Sequence, residues 1–402
     1  MKYLLLRLKR FCGFLVGIVF LISGILKLLD PVGSGLVMDE YFSFLHIGFM
    51  GFAAKPLGVM SALMEALIGT ALMTGVWRKI SGIIALAFQG LFTLVTVLLV
   101  IFNPDMDCGC FGEAVHLTHW QTFIKNLVLL ALLSAYYFPT KMLGQPKPRK
   151  YVSFSIVAVS LVLLTGYSLR YIPLVDFTDF KPSAILQAAN TGTADADRFE
   201  SVFVYEKDGK EETFSLGHLP DSTWTFVRTE TRERFSSDDD LVLSIMDDDG
   251  IYHDEFAAEG KVVVISVYDI DRRAAAWVET ARFIDILAHS GFTPILLVSS
   301  SYEDVRKRLE GLPDGVLPVL ESCMYYSDYK TLVTMNRSNG GATYFDDGLL
   351  IRKWAASAYP DESVLKDIYD SANTEILIGQ STRGSLTFQS FLLYVFAVLL
   401  LL

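Results

Sequence analysis

The chain has 402 residues, of which 52% are hydrophobic and only 20% are charged. Soluble domains carry about 25% charged residues. The formal net charge is −11, and the acidic residues concentrate in the second half of the chain. This argues against a nucleic-acid partner, because neutralising phosphates requires a basic surface. The composition predicts an integral membrane protein, in contact with lipid, that carries an acidic soluble region.

Six apolar segments are long enough to cross, or nearly cross, a hydrocarbon core of about 30 Å as helices. They are Phe11–Leu29, Leu57–Trp77, Ile80–Phe102, Trp120–Phe138, Tyr151–Leu169 and Leu386–Leu402. The first segment has the basic start of a signal peptide, but no small-x-small cleavage site follows it. We therefore expect it to remain as a membrane anchor.

Basic residues beside the short loops predict the orientation, because they favour the cytoplasmic side. Ten of them lie at the N-terminus, at the Arg78-Lys79 turn and in Lys141–Lys150. The alternate loops, Asp30–Pro56 and Asn103–Thr118, contain only Lys55. The N-terminus is therefore predicted to be cytoplasmic, with the loop around Cys108 and the soluble region on the opposite side.

The soluble region alternates predicted strands and helices. A first hairpin joins Ser201–Glu206 to Glu211–Ser215 through the turn pair Asp208-Gly209, and a further strand is predicted at Leu241–Met246. The β-branched run Lys261–Tyr268 is typical of a strand buried on both faces. The elements that follow are Arg272–His289 (helix), Phe292–Val298 (strand), Tyr302–Leu309 (helix), Gly341–Phe345 and Leu349–Trp354 (hairpin) and Glu362–Tyr369 (helix). This β-α-β-α-β-β-α order is that of thioredoxin-like domains.

Three sequence motifs give the membrane half a family resemblance. They are Gly17-x6-Gly24-x2-Lys27, Glu65-x3-Gly69-x5-Gly75, and Cys108-Gly-Cys-Phe-Gly-Glu113 followed by a helix with Asn126. With them, residues 10–140 resemble the DoxX/MauE group of bacterial four-helix membrane proteins. The resemblance implies the bacterial inner (cytoplasmic) membrane. It also implies either methylamine utilisation with periplasmic disulfide formation, as in MauE relatives, or quinone-linked sulfur oxidation, as in DoxX relatives.

The soluble half resembles the thioredoxin-like domain that is fused to such bundles. Arg337-Ser-Asn-Gly-Gly341 and Asp346-Asp-Gly-x3-Arg-Lys-Trp354 carry this resemblance. A redox-active relative would have Cys-x-x-Cys after its first strand, but Tyr268–Trp277 contains no cysteine. We therefore predict a redox-inactive domain in the periplasm that binds a client protein.

The predicted fold is an all-α membrane helix bundle, a four-helix DoxX/MauE-like core with extra transmembrane helices, joined to an α/β thioredoxin-like soluble domain. We divide the chain into five parts. These are the four-helix membrane domain (1–140), a cytoplasmic loop and fifth transmembrane helix (141–172), an extracytoplasmic β-rich segment (173–240), the thioredoxin-like domain (241–372), and a linker with the C-terminal transmembrane helix (373–402).

Cys108-Gly-Cys110 is the main chemical signal. Thiols in an oxidising compartment tend to form disulfides, and a Cys-Gly-Cys ring is strained, which makes it prone to exchange. Gly109 allows the required turn. The helix that begins near His119 could lower a thiol pKa through its dipole if the loop folds back on it. A structural disulfide, free thiols, or a metal site completed by His116 and His119 remain open alternatives.

Glu65 is the second candidate site residue, because an ionisable side chain in the middle of a transmembrane helix is costly. It could relay protons, pair with Lys125, or only form a packing hydrogen bond. Lys27 and Lys125 lie nearer the helix ends, where they can snorkel to the interface. The other cysteines, Cys12 and Cys323, are expected to be buried thiols.

The leading hypothesis is a membrane thiol-redox component with Cys108, Cys110 and Glu65 as the catalytic residues. They would pass electrons between an extracytoplasmic client protein and a membrane acceptor such as a quinone. The alternative is a non-enzymatic, membrane-anchored binding or assembly module, which the missing Cys-x-x-Cys favours. A transporter ranks last, since there are few intramembrane charges and no paired broken helices.

Overall fold

A computed structural model describes residues 2–104, 106–139, 146–187, 199–207, 210–215, 225–233 and 241–401 of the chain. All six predicted apolar segments form helices. The helices of the membrane part are α1 (Lys2–Leu29), α2 (Pro31–Phe44), α3 (Ala54–Thr74), α4 (Arg78–Phe102), α5 (His119–Tyr137), α6 (Pro148–Arg170) and, at the end of the chain, α12 (Asn373–Leu401). A short strand, β1 (Cys110–Glu113), lies between α4 and α5.

Five helical stretches in the described residues are long and apolar enough to cross a membrane. They are Leu6–Leu29, Gly48–Thr74, Arg78–Phe102, Pro148–Arg170 and Arg383–Leu401. Helix α5, predicted as the fourth transmembrane span, is not among these five stretches. Its first half carries Gln121, Lys125 and Asn126, and Lys125 and Asn126 line a cavity inside the bundle.

Helices α1 and α3 approach each other closely at glycines. A methyl group added to Gly69 would lie 2.5 Å from the Leu21 nitrogen and 2.7 Å from the Gly17 oxygen. A methyl group on Gly24 would lie 2.6 Å from the Ala66 nitrogen. Small residues of this kind let transmembrane helices pack backbone to backbone. Gly17, Gly24 and Gly69 of the first two sequence motifs therefore form the α1–α3 contact, whereas Gly75 ends α3 beside Arg78.

The segment Asp30–Pro56 was predicted to be a loop, and this is wrong for its first half, which forms α2. The Asp30 carboxylate caps this helix by accepting a 2.8 Å hydrogen bond from the Gly33 nitrogen, and Pro31 occupies the first helical position. An acceptor side chain followed by proline is a strong helix start. The helix is nevertheless hard to recognise in the sequence, because the residues after Pro31 are mostly small or apolar and give α2 no polar face opposite an apolar one.

The α/β domain contains a mixed five-stranded sheet. Its strands are β5 (Lys261–Val267), β6 (Thr293–Val298), β7 (Met324–Tyr326), β8 (Gly341–Asp346) and β9 (Leu349–Trp354), in the order β7-β6-β5-β8-β9. Strand β5 is central, parallel to β6 and antiparallel to β8. Its buried β-branched side chains face apolar cores on both sides of the sheet. The helices are α7 (Ala274–His289), α8 (Tyr302–Leu309), α9 (Val316–Glu321), α10 (Tyr329–Met335) and α11 (Glu362–Asp370).

The strand predicted at Leu241–Met246 is wrong, because only Leu241 and Met246 form isolated bridges. Instead, Leu243 and Ile245 insert as single side chains into the core that covers one face of the sheet. The Ile245 nitrogen donates to the Asp254 carboxylate, 2.8 Å away, rather than to a neighbouring strand. The alternating apolar residues therefore predicted correctly that these side chains are buried, but they did not show whether the segment pairs with a strand.

A separate sheet of order β3-β2-β4 is formed by β2 (Phe199–Lys207), β3 (Lys210–Ser215) and β4 (Thr225–Glu233). Strands β2 and β3 realise the predicted hairpin, and its Asp208-Gly209 turn lies outside the described residues. Strand β4 pairs on the other edge of β2.

The last helix, α12, begins at Asn373 rather than at the predicted Leu386. Its membrane end packs along α6, where Ser153 Oγ donates to the Val398 oxygen at 2.9 Å and Lys150 Nζ donates to the Leu399 oxygen at 2.9 Å. The polar residues before Leu386 continue the helix beyond its apolar part. The apolar run from Leu386 therefore predicted the membrane-spanning part of α12 but not the residue at which the helix begins.

Candidate functional site

The three predicted site residues, Cys108, Cys110 and Glu65, line one cavity inside the helix bundle. The cavity lies between helices α1 to α5 and the cysteine loop. Its other charged and polar lining side chains are Ser23, Lys27, Ser34, Tyr41, Ser61, Gln89, Thr96, Lys125 and Asn126. Residues from five helices and one loop thus converge here, as in the ligand sites of helix bundles.

The cysteine loop is held in place by α1 and α2. The Tyr41 hydroxyl donates to the Cys108 oxygen at 2.8 Å, and the Ser23 hydroxyl donates to the Cys110 oxygen at 2.5 Å. Between the cysteines, Gly109 adopts φ +55°, where a side chain would be strained and would overlap Val37. The loop is therefore a shaped turn that the bundle positions.

The two cysteines are both free thiols, but they differ in exposure. Cys108 is 4% exposed, whereas Cys110 is half-buried. Burial raises the pKa of the Cys108 thiol, and the nearby Cys110 and Asp107 act in the same direction against Thr122 and Lys125. At Cys108, burial therefore acts against any lowering of the thiol pKa by the α5 dipole. Cys110 is the thiol that a partner reaches more easily.

Glu65 forms an ion pair with Lys27, with 2.6 Å between Oε2 and Nζ and side chains only 8% and 11% exposed. The expected partner, Lys125, instead places its ammonium 4.9 Å from the centre of the Phe111 ring. Lys27 therefore does not snorkel to the interface. It crosses to α3 because a buried carboxylate is stable only when it is paired.

Polar side chains on α4 and α5 continue this interior surface. The Asn126 amide donates to Thr96 Oγ1 at 2.8 Å, and the Gln89 amide donates to the Asn126 oxygen at 3.3 Å. These contacts explain why an amphipathic α5 belongs to the bundle. Its polar residues are satisfied inside rather than facing lipid.

The histidines of the metal alternative bond elsewhere. His116 contacts the exposed Asp107 at 3.0 Å, and His119 contacts the Met106 oxygen at 3.1 Å. Within the described ranges, no group of three or more His, Cys, Asp and Glu is placed to hold a metal ion. Cys12 is buried in the α1 core, and Cys323 lies in the α/β core, where burial raises its pKa to about 11.

Arg337 connects the α/β domain to the cysteine loop, a role that the sequence motif did not reveal. Its guanidinium, 5% exposed, lies 2.8 Å from Asp30 Oδ2 and 3.0 Å from Glu113 Oε1, and it also donates to the Val333 oxygen. Asp30 lies between α1 and α2 and caps α2, and Glu113 ends the strand that begins at Cys110. Lys353 makes a second buried contact, 2.6 Å from Asp176.

The sheet edge next to Arg337 is closed by hydrogen bonds. The Tyr268 hydroxyl donates to the Arg337 oxygen at 2.9 Å, and the Asn339 amide donates to the Asp269 oxygen at 2.7 Å. The loop after β5 and the loop before β8 therefore meet beside the bundle. Neither loop contains a cysteine, so thiol chemistry at this site can come only from Cys108 and Cys110.

Fold and site together define a multi-helix membrane protein with an α/β domain outside the helices. The model of the family described as "Methylamine utilisation protein MauE" matches residues 2–139, about a third of the chain. The resemblance to MauE proteins is thus confirmed for the membrane domain. A second match, "Domain of unknown function (DUF8463)", covers residues 199–233, the three-stranded sheet. No curated protein and no solved structure matches the chain.

Proposed function

We propose that the protein is a membrane thiol-disulfide exchange component, serving as an accessory protein in methylamine utilisation as the name of the matched family suggests. The observation that carries this proposal is the shared cavity: Cys108 and Cys110 line it together with the Glu65–Lys27 ion pair. A dithiol beside a buried ionisable pair can exchange electrons and protons at one place.

The proposed reaction begins with Cys108 and Cys110 joined as a disulfide. A client thiolate attacks Cys110, the more accessible sulfur, forming a mixed disulfide and releasing Cys108, which takes a proton. The second client thiolate then attacks the client sulfur of the mixed disulfide, so a client disulfide forms and Cys110 leaves as a thiol. Two electrons and two protons have moved from the client to the cysteine pair.

Re-oxidation of the cysteine pair must pass two electrons and two protons to an acceptor. We infer an acceptor of the quinone class, dissolved in the bilayer. At the wall of the cavity, Lys125 would offer a hydrogen-bond donor to such a molecule, and Phe20, Phe92 and Val95 would offer apolar contacts. In this scheme Glu65, held beside the cysteines by Lys27, receives a proton as the thiols are oxidised.

We infer that the α/β domain is thioredoxin-like and binds the client. The strand order β6-β5-β8-β9, with β5 parallel to β6 and antiparallel to β8, supports this fold. The edge that would carry a dithiol in such a fold lacks cysteine and instead contacts the cysteine loop through Arg337 and Glu113. The domain would then deliver client thiols to Cys110 rather than react with them.

Serine variants test the proposal. Cys108→Ser should accumulate a mixed disulfide through the reverse reaction, in which the free Cys110 attacks the disulfide of an oxidised client and Cys108 is no longer present to displace that client. Cys110→Ser should not form it. Both variants should lower the rate of client disulfide formation to background while the protein stays in the membrane. Non-reducing electrophoresis and thiol alkylation before and after reduction measure these outcomes. Glu65→Gln should keep the mixed disulfide chemistry but slow re-oxidation of the pair.

Cys12→Ser is the matched control, since this buried thiol lies in the α1 core and does not line the cavity. It should behave like the unchanged protein. If both Cys108→Ser and Cys110→Ser fully complement a deletion strain, the redox role is wrong. The anchored binding module would then be the better function, which the buried Arg337 contact between domain and bundle favours.

We also propose that the protein lies in the bacterial inner membrane with a cytoplasmic N-terminus and the α/β domain in the periplasm. Arg337 contacts Glu113, so the domain and the cysteine loop share one side. Helix α6 is long and apolar enough to cross. Helix α5 must then cross as well, and its 19 residues reach about 28 Å.

Single introduced cysteines test this orientation. Asp314→Cys, on the exposed surface of the α/β domain, should react with an impermeant maleimide in spheroplasts. Lys79→Cys, at the exposed start of α4, should react only after permeabilisation. The four native cysteines are replaced by serine beforehand so that each signal reports one site. The reverse labelling pattern would contradict the basic-residue argument.

A further inference from the structure

A second cavity lies between α6, α12 and the α/β domain, apart from the cysteine cavity. Apolar and aromatic side chains form much of its wall, among them Leu163 and Tyr167 of α6 and Phe391 and Tyr394 of α12. None of its lining residues belongs to the cysteine cavity. It is therefore a separate space that the thiol chemistry does not use.

Two arginines, Arg352 of β9 and Arg383 of α12, line this cavity together. In the described part of the chain, neither forms an ion pair with a carboxylate; Arg352 only approaches the Trp354 ring, at 5.4 Å from its centre. Asp367 and Glu375 also line the cavity but pair with neither. Burial lowers the pKa of Arg352, and the charge of Arg383 acts in the same direction. Two neighbouring cations that no carboxylate of the described residues contacts directly favour an anion between them.

The position of the arginines along the membrane matches a lipid headgroup. Arg383 is the first residue of the stretch Arg383–Leu401, and Arg170 is the last residue of Pro148–Arg170. The α/β domain touches this same level, since Ser357 donates to the Arg170 oxygen at 2.7 Å. The charged end of the cavity thus lies where the apolar spans stop, and the apolar wall extends from there along α6 and α12.

We propose that this cavity binds an anionic phospholipid, with its phosphate between Arg352 and Arg383 and an acyl chain along the apolar side chains of α6 and α12. Guanidinium groups bind phosphate oxygens in a bidentate manner. Because Arg352 belongs to the α/β domain and Arg383 to the last helix, the lipid would join two parts of the chain at the membrane surface.

Binding of phosphatidylglycerol to the full chain in mixed micelles tests the proposal, with native mass spectrometry as the readout. Phosphatidylglycerol should bind more tightly than zwitterionic phosphatidylcholine. The double variant Arg352→Gln/Arg383→Gln should weaken phosphatidylglycerol about tenfold or more, the loss expected for charge-assisted bonds, and leave phosphatidylcholine unchanged. Inorganic phosphate at the same concentration should not displace the lipid.

A cavity-filling variant tests whether lipid binding requires the space of the cavity in addition to the charges of the two arginines. Gly379 lines the cavity, and a methyl group added there meets no atom within 4 Å. Gly379→Phe should therefore fill the cavity and reduce lipid binding while the arginines stay. Gly166→Phe, in an equally open position on α6 outside the cavity, should have no effect. Equal binding of both lipids, full binding by Gly379→Phe, or displacement by inorganic phosphate would each overturn the proposal.

Discussion

Arg337→Met is expected to destabilise the protein by about 3–5 kcal/mol, the usual cost of removing one partner from a buried ion pair. The arginine side chain is 5% exposed and faces Asp30 and Glu113. Without it, the Asp30 carboxylate, 10% exposed, would lose its buried ion pair and, of the hydrogen bonds between described residues, would keep the capping bond to Gly33. Thermal unfolding in detergent and protease sensitivity of the junction between domain and bundle measure the loss.

Two further variants make this prediction specific. Lys366→Met removes an exposed pair with Glu362 and should cost less than about 1 kcal/mol. Adding Asp30→Asn and Glu113→Gln to Arg337→Met should recover part of the stability, because the uncompensated charges are then gone. If Arg337→Met unfolds like Lys366→Met, the domain is not held to the bundle by this contact.

Gly69→Val is expected to force α1 and α3 apart, at a cost of about 3 kcal/mol, toward the upper end for overpacking. The added side chain would meet the Leu21 nitrogen and the Gly17 oxygen. These are backbone atoms, which cannot avoid the overlap by changing rotamer as a side chain can. On α3, Glu65 lies about one turn from Gly69, and its partner Lys27 lies on α1, nearly two turns beyond Leu21. Wider spacing should therefore also open the cysteine cavity.

Gly90→Val, in α4, is the matched control, because a methyl group there meets no atom within 4 Å. Both variants replace a helical glycine inside an apolar span with the same residue. We expect Gly90→Val to match the unchanged protein in thermal midpoint and in the yield of monodisperse protein. Equal thermal midpoints and yields of the two variants would show that α1 and α3 can move apart without loss of stability.

Together these contacts describe how one end of the α/β domain is tied to the site. Arg337 contacts Glu113, which ends the strand that begins at Cys110. Asp30, the other partner of Arg337, also begins α2, whose Tyr41 holds the Cys108 oxygen. A shift of the domain would therefore act on the cysteine loop from two directions.

The sequence alone determined which long apolar segments form helices, because each must satisfy its own backbone in lipid and its apolar run is visible locally. It also indicated the central strand β5, whose β-branched residues are buried on both faces. It named Cys108, Cys110 and Glu65 as candidate residues, and the Cys-Gly-Cys spacing placed the first two side by side.

Only the tertiary structure decided which charged side chains pair with each other. Lys27, not Lys125, neutralises Glu65, since the close α1–α3 packing at Gly24 and Gly69 brings these two helices together. Arg337 reaches Asp30 across 307 positions of sequence, a contact that no local pattern encodes. Burial in the folded chain raises the pKa of the Cys108 thiol, and local sequence does not show that burial. Such pairings depend on how whole elements pack, whereas the elements themselves depend on their own residues.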